Sequence, residues 1–309
     1  MSRLTVLDDP KAGRWSPRDL ALLAIALLLF ALATYALTQR DQILALTAPR
    51  IQPISLLTTA DFHAFAFDPN DANVIYFGHH NGVMQSRNAG VDWTRVLQAG
   101  DAMSLATTAD APNTIIAAGH LLLLRSDDRA ATWNEIANDL PHTDIHGFAI
   151  NPQNSRDWFA FVIGNGLFRS QDAGAHWSLV SKGLPDTTMA LAVVPGEPLT
   201  LYAGTMDQGV LKSMDGGTTW ASTNLNLQMA MTLTNDPRDP RVIYAGTEKG
   251  LFLFRNSGPT NGAGTRWEQV GLNGKNLMAV ALSRTNPQRI IAVDRDGRVY
   301  RTDDGGKSW

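Results

Sequence analysis

The chain has 309 residues, of which 44% are apolar and 18% charged, so it is long enough for one large folded domain and too apolar for extended disorder. Its formal net charge is -3, with 26 Lys and Arg against 29 Asp and Glu, which argues against a nucleic-acid partner held by bulk charge. It contains no cysteine, and this excludes disulfides, thiolate catalysis, iron–sulfur clusters and Cys-ligated zinc.

The first predicted element is a membrane anchor. Residues 20–37 form an unbroken apolar run of 18 residues, just long enough to cross a bilayer as a helix. The segment before this run carries four basic residues, Arg3, Lys11, Arg14 and Arg18. Because basic residues stay on the cytoplasmic side, we expect residues 1–19 in the cytoplasm, a transmembrane helix over 20–37, a linker over 38–50 and the remainder on the periplasmic or extracellular side. A cleaved signal peptide is the alternative, since Ala31 and Ala33 form a small-x-small site.

An internal repeat of about 43 residues occupies the rest of the chain. Five copies of the pattern Ser/Thr-x-Asp-x-Gly-x-x-Trp, with substitutions in the first two, end at Trp93, Trp133, Trp177, Trp220 and Trp309. A sixth copy, interrupted by an insertion, ends at Trp267. Two short β-rich runs around a polar turn precede each box, a third run lies before them, and a fourth follows most of the tryptophans. Four strands in each of six repeats predict an all-β, six-bladed β-propeller of antiparallel blades over residues 51–309.

The box resembles the Asp-box or BNR repeat of sialidases, family 74 xyloglucanases, sortilin-type receptors and the photosystem II assembly factor of cyanobacteria. The stretches DFHAFAF (61–67) and GHHNG (78–82) also resemble segments of bacterial Asp-box proteins catalogued as glycosyl hydrolases. The resemblance implies that the boxes are structural turns between third and fourth strands, opposite the usual active-site face. It does not select an activity, because the relatives share an architecture and no single chemistry.

The last repeat has no residues after Trp309 from which to form its fourth strand. The segment 51–58 precedes the first inner strand and has no other assignment. We therefore expect residues 51–58 to supply the outer strand of the last blade and so to close the ring, because an uncovered edge strand would pair with another chain. An independent, truncated last blade is the alternative.

Carboxylates near the strand ends are the candidates for catalysis. Asp61, Asp101 and Asp144 each lie two residues before an aligned inner-strand position, and Asp207 and Glu248 lie in turns between second and third strands. Two of them, ~5–9 Å apart, would suit a membrane-tethered glycoside hydrolase acting on glycans. The alternative is that short Asp side chains cap these turns. A sialidase is not expected, because the tyrosines and arginines occupy positions of the repeat.

The six inner strands carry His or Met at one aligned position. These residues are His63, Met103, His146, Met189, Met231 and Met278. Equivalent positions lie at one depth around a propeller channel, and imidazole with thioether donors favours copper, particularly Cu(I). His80 and His120, in turns on the same face, could deliver the ion. The alternative is an apolar plug in which methionine fills the channel.

The preferred hypothesis is a membrane-anchored, outward-facing propeller that acts as a binding or assembly module, with a protein or glycan ligand at the channel face. Catalysis is the second hypothesis. No glycine-rich phosphate motif opens a helix, and no basic face with interleaved aromatic residues is present, so we expect neither a nucleotide nor a nucleic-acid partner.

Overall fold

The computed structural model describes residues 16–47, 51–223, 229–255 and 266–309. The chain divides into two compact units, 1–50 and 51–309. Residues 1–15, which carry most of the expected cytoplasmic segment, and 48–50, the end of the expected linker, lie outside the described residues, as does the insertion of the interrupted repeat.

The described part of the N-terminal unit forms one helix, α1 (Pro17–Thr47). Ser16 and Asp19 cap its start reciprocally, because the Asp19 amide donates to Ser16 Oγ (3.2 Å) and the Ser16 amide donates to the Asp19 carboxylate (3.0 Å). The segment Pro17–Arg40 is long and apolar enough to cross a membrane, a test that a signal sequence also passes. The helix continues through most of the predicted linker, since residues 38–47 contain neither glycine nor proline.

The first three blades follow in chain order. Blade 1 consists of β2 (Ala64–Asp68), β3 (Asp71–His79), β4 (Gly82–Ser86) and β5 (Thr94–Leu97). Blade 2 consists of β6 (Asp101–Thr107), β7 (Ile115–His120), β8 (Leu122–Ser126) and β9 (Asn134–Glu135). Blade 3 consists of β10 (Ile145–Asn151), β11 (Asn154–Val162), β12 (Gly166–Ser170) and β13 (Ser178–Ser181).

The remaining blades complete the ring. Blade 4 consists of β14 (Thr188–Val194), β15 (Thr200–Thr205), β16 (Val210–Ser213) and β17 (Ala221–Ser222). Blade 5 consists of β18 (Ala230–Asp236), β19 (Asp239–Thr247), β20 (Gly250–Arg255) and β21 (Glu268–Gly271). Blade 6 consists of β22 (Leu277–Leu282), β23 (Ile290–Asp294), β24 (Arg298–Thr302) and β1 (Ser55–Leu56). The predicted six-bladed propeller of four-stranded antiparallel blades is thereby confirmed.

The first strand of each blade lies on the inside of the ring. These strands contact their counterparts in both neighbouring blades, and β22 contacts β2 to complete the circle. The core lies between the sheets, where large side chains such as Tyr76, Tyr202 and Tyr300 are fully buried. The start of every inner strand therefore reaches the same end of the central channel.

Strand β1 forms the outer edge of blade 6. Ser55 and Leu56 pair antiparallel with β24, and the amides of Ile54 and Leu57 donate to the carbonyls of Val299 and Gly297, both at 2.8 Å. Only two residues of the segment 51–58 adopt strand structure. The segment that contains β1 thus precedes blade 1 in the sequence but belongs to the sheet of blade 6.

The repeated boxes form structural turns between third and fourth strands. In blade 4, Ser213 Oγ accepts from the Gly217 amide (2.8 Å), and Asp215 accepts from the Thr219 amide (2.9 Å). Trp220 Nε1 donates to the Gly217 carbonyl (3.0 Å). Gly217 has a φ of 97°, and a Cβ there would lie 2.5 Å from Leu167, so this position of the box requires glycine.

Candidate metal centre

Four histidines and two aspartates meet where the inner strands of blades 1 to 3 begin. The cluster consists of His63, His80, Asp101, His120, Asp144 and His146. All six were singled out from the sequence, the histidines as metal ligands and the aspartates as catalytic candidates. The structure brings them into one continuous set of contacts.

The strand geometry explains why residues distant in sequence meet here. Asp101 opens β6 and pairs with His120, which ends the antiparallel neighbour β7. His120 also forms an isolated bridge with Asp144, which directly precedes β10. His146 lies at a register shift near the start of β10, between the paired residues Ile145 and Gly147. Such an irregularity redirects a side chain from the regular alternation of the strand.

Asp101 is the centre of one half of the cluster. Its Oδ1 lies 2.9 Å from His63 Nε2, and its Oδ2 lies 3.1 Å from both His80 Nδ1 and His120 Nδ1. The side chain of Asp101 is only 9% exposed. Burial alone would raise the pKa of Asp101, but the contacts from His63 and His80 and the nearby His120 hold it at about 2. Asp101 is therefore an anion that contacts three imidazoles from two blades.

The other half of the cluster is a triangle of donor atoms. His120 Nε2 lies 3.0 Å from His146 Nε2 and 3.4 Å from Asp144 Oδ1, and the third side, from His146 Nε2 to Asp144 Oδ1, is 3.5 Å. Tetrahedral coordination with bonds of 2.0–2.1 Å places ligand atoms about 3.3 Å apart. The three side chains therefore have the spacing at which they could bind one metal ion together.

Hydrogen bonding leaves one corner of this triangle unsatisfied. Asp144 Oδ1 is buried and has no hydrogen-bond partner among the described residues, whereas the two Nε2 atoms lie within hydrogen-bond distance of each other. His146 Nδ1, outside the triangle, is also buried without a partner among these residues. The carboxylate of Asp101 beside Nδ1 of His120 favours the proton on that nitrogen, so that Nε2 presents its lone pair to the triangle. Burial, and then the charge of His120, lower the pKa of His146, which favours the neutral imidazole that metal binding requires.

The six His and Met residues of the predicted ring lie near the starts of the inner strands, but the described contacts do not join them into one set. Four of its members, His146, Met189, Met231 and Met278, lie at the register shift near the start of their inner strands. Met103 is buried within the corresponding shift of blade 2. The contacts described within the cluster join imidazoles to carboxylates and to one another.

The other carboxylate candidates do not join the cluster. Asp61 is exposed, Asp207 is exposed and accepts from the Thr187 hydroxyl (2.6 Å), and Glu248 lies half-buried in the turn between β19 and β20. Within the described residues, no hydrogen bond or ion pair links these three to Asp101 or Asp144. The Asp207 contact joins its turn to Thr187, the residue just before β14, through a bond between side chains.

Sequence reasoning missed the pairing of the aspartates with the histidines. A signal was present, because blade 1 contains Asp61-Phe62-His63 and blade 3 contains Asp144-Ile145-His146 at the same place. Residues two apart on an extended chain project to the same side, so an Asp-x-His pair at a strand start can present two ligands together. Only the blade 3 pair does so, with His146 Nε2 3.5 Å from Asp144 Oδ1.

Comparisons with known proteins show the fold and leave the activity open. No family model matches the chain. The xyloglucanase Xgh74A of Acetivibrio thermocellus is 26% identical over an alignment that covers 67% of this chain and 32% of that enzyme. The chain thus spans about a third of the length of this curated relative.

Two groups of solved structures share the propeller. The GH74 xyloglucanase from Xanthomonas campestris superposes with a TM-score of 0.55 at 19% identity, covering 84% of this chain and 46% of the enzyme. YCF48 from Cyanidioschyzon merolae gives a TM-score of 0.51 at 17% identity and covers 84% and 86% of the two chains. A structure of YCF48 bound to D1 peptide gives a TM-score of 0.50 at 18% identity, covering 84% of this chain and 83% of that one.

Proposed function

We propose that this propeller is a binding module, held outside the cytoplasm by its N-terminal anchor, and that it binds one transition-metal ion at His120, Asp144 and His146. The observation that carries the proposal is the triangle of His120 Nε2, His146 Nε2 and Asp144 Oδ1, whose sides of 3.0, 3.4 and 3.5 Å match the spacing of metal ligands. The absence of a hydrogen-bond partner for Asp144 Oδ1 among the described residues supports a cation at this place.

The donor atoms favour a divalent ion of the copper or zinc type. Two imidazoles and a carboxylate suit Zn²⁺ and Cu²⁺, and Cu²⁺ binds most tightly among the divalent first-row ions. Cu(I) is favoured by thioether donors, whereas the triangle consists of two imidazoles and a carboxylate. The proposed copper ion at the triangle is therefore Cu²⁺.

A membrane-tethered glycoside hydrolase is the second candidate, favoured by the similarity to a xyloglucanase over 67% of the chain. Asp101 does not fit the role of the general acid, because that acid needs a raised pKa and the pKa of Asp101 is held at about 2, so another carboxylate would have to take this role. Hydrolysis of xyloglucan or aryl glycosides that disappears in Asp61→Asn or Asp144→Asn would favour the enzyme. The YCF48 structure with its bound peptide supports a module that binds protein instead.

Metal titration of the full chain tests the proposal. The protein is purified in detergent with a tag free of histidine, stripped with a chelator and titrated with Cu²⁺ and with Zn²⁺ by calorimetry. We expect one ion per chain and loss of binding when His120→Ala is combined with His146→Ala. His176→Ala is the matched control, because His176 lies in the box of blade 3 and bonds Asp172, outside the cluster. Undiminished affinity in the double variant, or no binding by the parent, would contradict the proposal.

The anchor has its own test. The helix Pro17–Arg40 and the basic residues before it support a propeller on the periplasmic or extracellular side. Protease added to the outer face of intact inner-membrane preparations should digest the propeller. Full protection would contradict this orientation, and a mature protein that begins after residue 33 would show a cleaved signal peptide instead.

A further inference from the structure

We infer that the ion bound at His120, Asp144 and His146 keeps one coordination position open to solvent, and that this position takes an anionic oxygen donor of the carboxylate class. The inference rests on the proposed metal site and adds what that site binds in turn. The ion would then be the site at which the propeller binds its ligand.

Within the described residues, no fourth histidine, aspartate or glutamate joins the triangle: the group with metal-ligand spacing consists of His120, Asp144 and His146. Asp101 contacts Nδ1 of His120, whereas the triangle lies at its Nε2, and the two nitrogens of an imidazole ring point in different directions. His63 and His80 contact Asp101 and have no described contact with the triangle.

His142, the remaining nearby imidazole, is already engaged at both nitrogens. Its Nδ1 accepts from the Asp144 amide (3.2 Å), and its Nε2 lies 2.7 Å from the side-chain amide of Asn165. Among the imidazoles and carboxylates of the described residues, the ion therefore has three ligands. Structural zinc sites use four, and sites with three hold water or a bound ligand at the free position.

The triangle is open to solvent on one side. The side chain of His120 is 43% exposed, whereas that of His146 is 14% exposed and the Oδ1 atom of Asp144 is buried. The ion would thus face solvent beside His120, and a ligand would approach it from that side.

Charge favours an anionic donor in the first coordination shell. A divalent ion with one carboxylate and two neutral imidazoles gives this shell a net charge of +1, and the anion Asp101 lies outside the shell, beside Nδ1 of His120. An anionic donor makes the shell neutral, and a carboxylate oxygen is an established ligand of Zn²⁺. A carboxylate-bearing ligand is therefore favoured over a neutral one.

Azide binding to the copper-loaded full chain tests the inference. Azide reports an open position on Cu²⁺ by a charge-transfer absorption, and acetate then competes as the oxygen donor. We expect the absorption to saturate at one azide per copper and to be reversed by acetate. His176→Ala is the control, because His176 contacts Asp172 in the box of blade 3, outside the cluster, so azide should bind this variant as it binds the parent.

Each other outcome is distinct. One copper per chain whose spectrum is unchanged by azide means a closed shell, which overturns the open position and leaves the metal site standing. Azide binding that arises only in His80→Ala means that His80 fills the fourth position, which also overturns it. Azide binding that acetate does not reverse overturns the choice of a carboxylate, and failure of copper to bind overturns the proposed function and this inference together.

Discussion

His120 contacts Asp101 through Nδ1, with 3.1 Å between that nitrogen and the carboxylate Oδ2, and thereby turns Nε2 toward Asp144 and His146. A carboxylate in this position fixes the tautomer and the orientation of a metal-binding imidazole. Asp101 is in turn held by His63 and His80. The two halves of the cluster thus have different roles. The half around Asp101 positions His120, and the triangle supplies the metal ligands.

Asp101→Asn should weaken metal binding without changing the stoichiometry. The amide removes the anion that orients His120, and loss of such a partner typically costs 10–100-fold in metal affinity. Calorimetry gives the affinity, and the electron paramagnetic resonance spectrum of bound Cu²⁺ shows whether the ligand geometry has changed. Asp61→Asn is the control, because Asp61 is exposed and has no described contact with the cluster. Equal affinities in the parent and Asp101→Asn would remove the positioning role.

Two buried tyrosines, Tyr202 in β15 and Tyr300 in β24, should respond in opposite ways to loss of the hydroxyl. The Tyr202 hydroxyl is buried without a hydrogen-bond partner among the described residues, whereas the Tyr300 hydroxyl donates to Asp294 at 2.7 Å. Tyr300→Phe should lower the free energy of unfolding by roughly 1–3 kcal/mol, because it removes a hydrogen bond to a buried carboxylate oxygen. Tyr202→Phe should cost nothing or gain up to about 1 kcal/mol. Urea unfolding of both variants at neutral pH checks the difference, and equal losses would contradict it.

The propeller should lose stability in alkali above the ordinary pKa of tyrosine. Burial raises the pKa of Tyr76, Tyr202, Tyr244 and Tyr300 above the model-compound value of 10.0, so the folded state holds these protons longer than the unfolded state does. Their stabilising contribution is therefore complete below pH 10 and falls as the pH rises beyond it. Free energies of unfolding measured from pH 8 to 11 should show this loss, and Tyr202→Phe should reduce its slope. A flat profile above pH 10 would be inconsistent with buried tyrosines.

Removal of residues 51–57 should expose the edge of β24. The deletion takes away the pairs of Ser55 and Leu56 and the buried side chain of Leu57, and an open edge strand tends to pair with another chain. We expect a lower melting temperature or a dimer by light scattering. Leu56→Ser is the control, because Leu56 is 61% exposed and its backbone pairing survives the substitution. A monomer with the parent's melting temperature would show that β1 does not stabilise the ring.

The period of the tryptophans was sufficient to predict the fold, because each blade repeats the same turn chemistry, as the bonds of Ser213 and Asp215 illustrate. The alignment of the inner strands also placed His63 and His146 at equivalent positions. The side-chain contacts could not be read in the same way. His120 pairs with Asp144 in an isolated bridge between blades. This contact depends on where the strands end and where their register shifts, and the period of the repeat does not give either. From the sequence alone, the aspartates are therefore candidates for catalysis and the methionines candidates for metal ligands.

Diffraction from metal-loaded crystals of the full chain tests the central claim most directly. Data collected on either side of the copper or zinc absorption edge locate the ion by its anomalous signal. The account predicts one peak at about 2.0–2.2 Å from His120 Nε2, His146 Nε2 and Asp144 Oδ1. A peak among the methionines of the ring, a peak held by His63 and His80, or no peak at the channel end of blades 2 and 3 would contradict it.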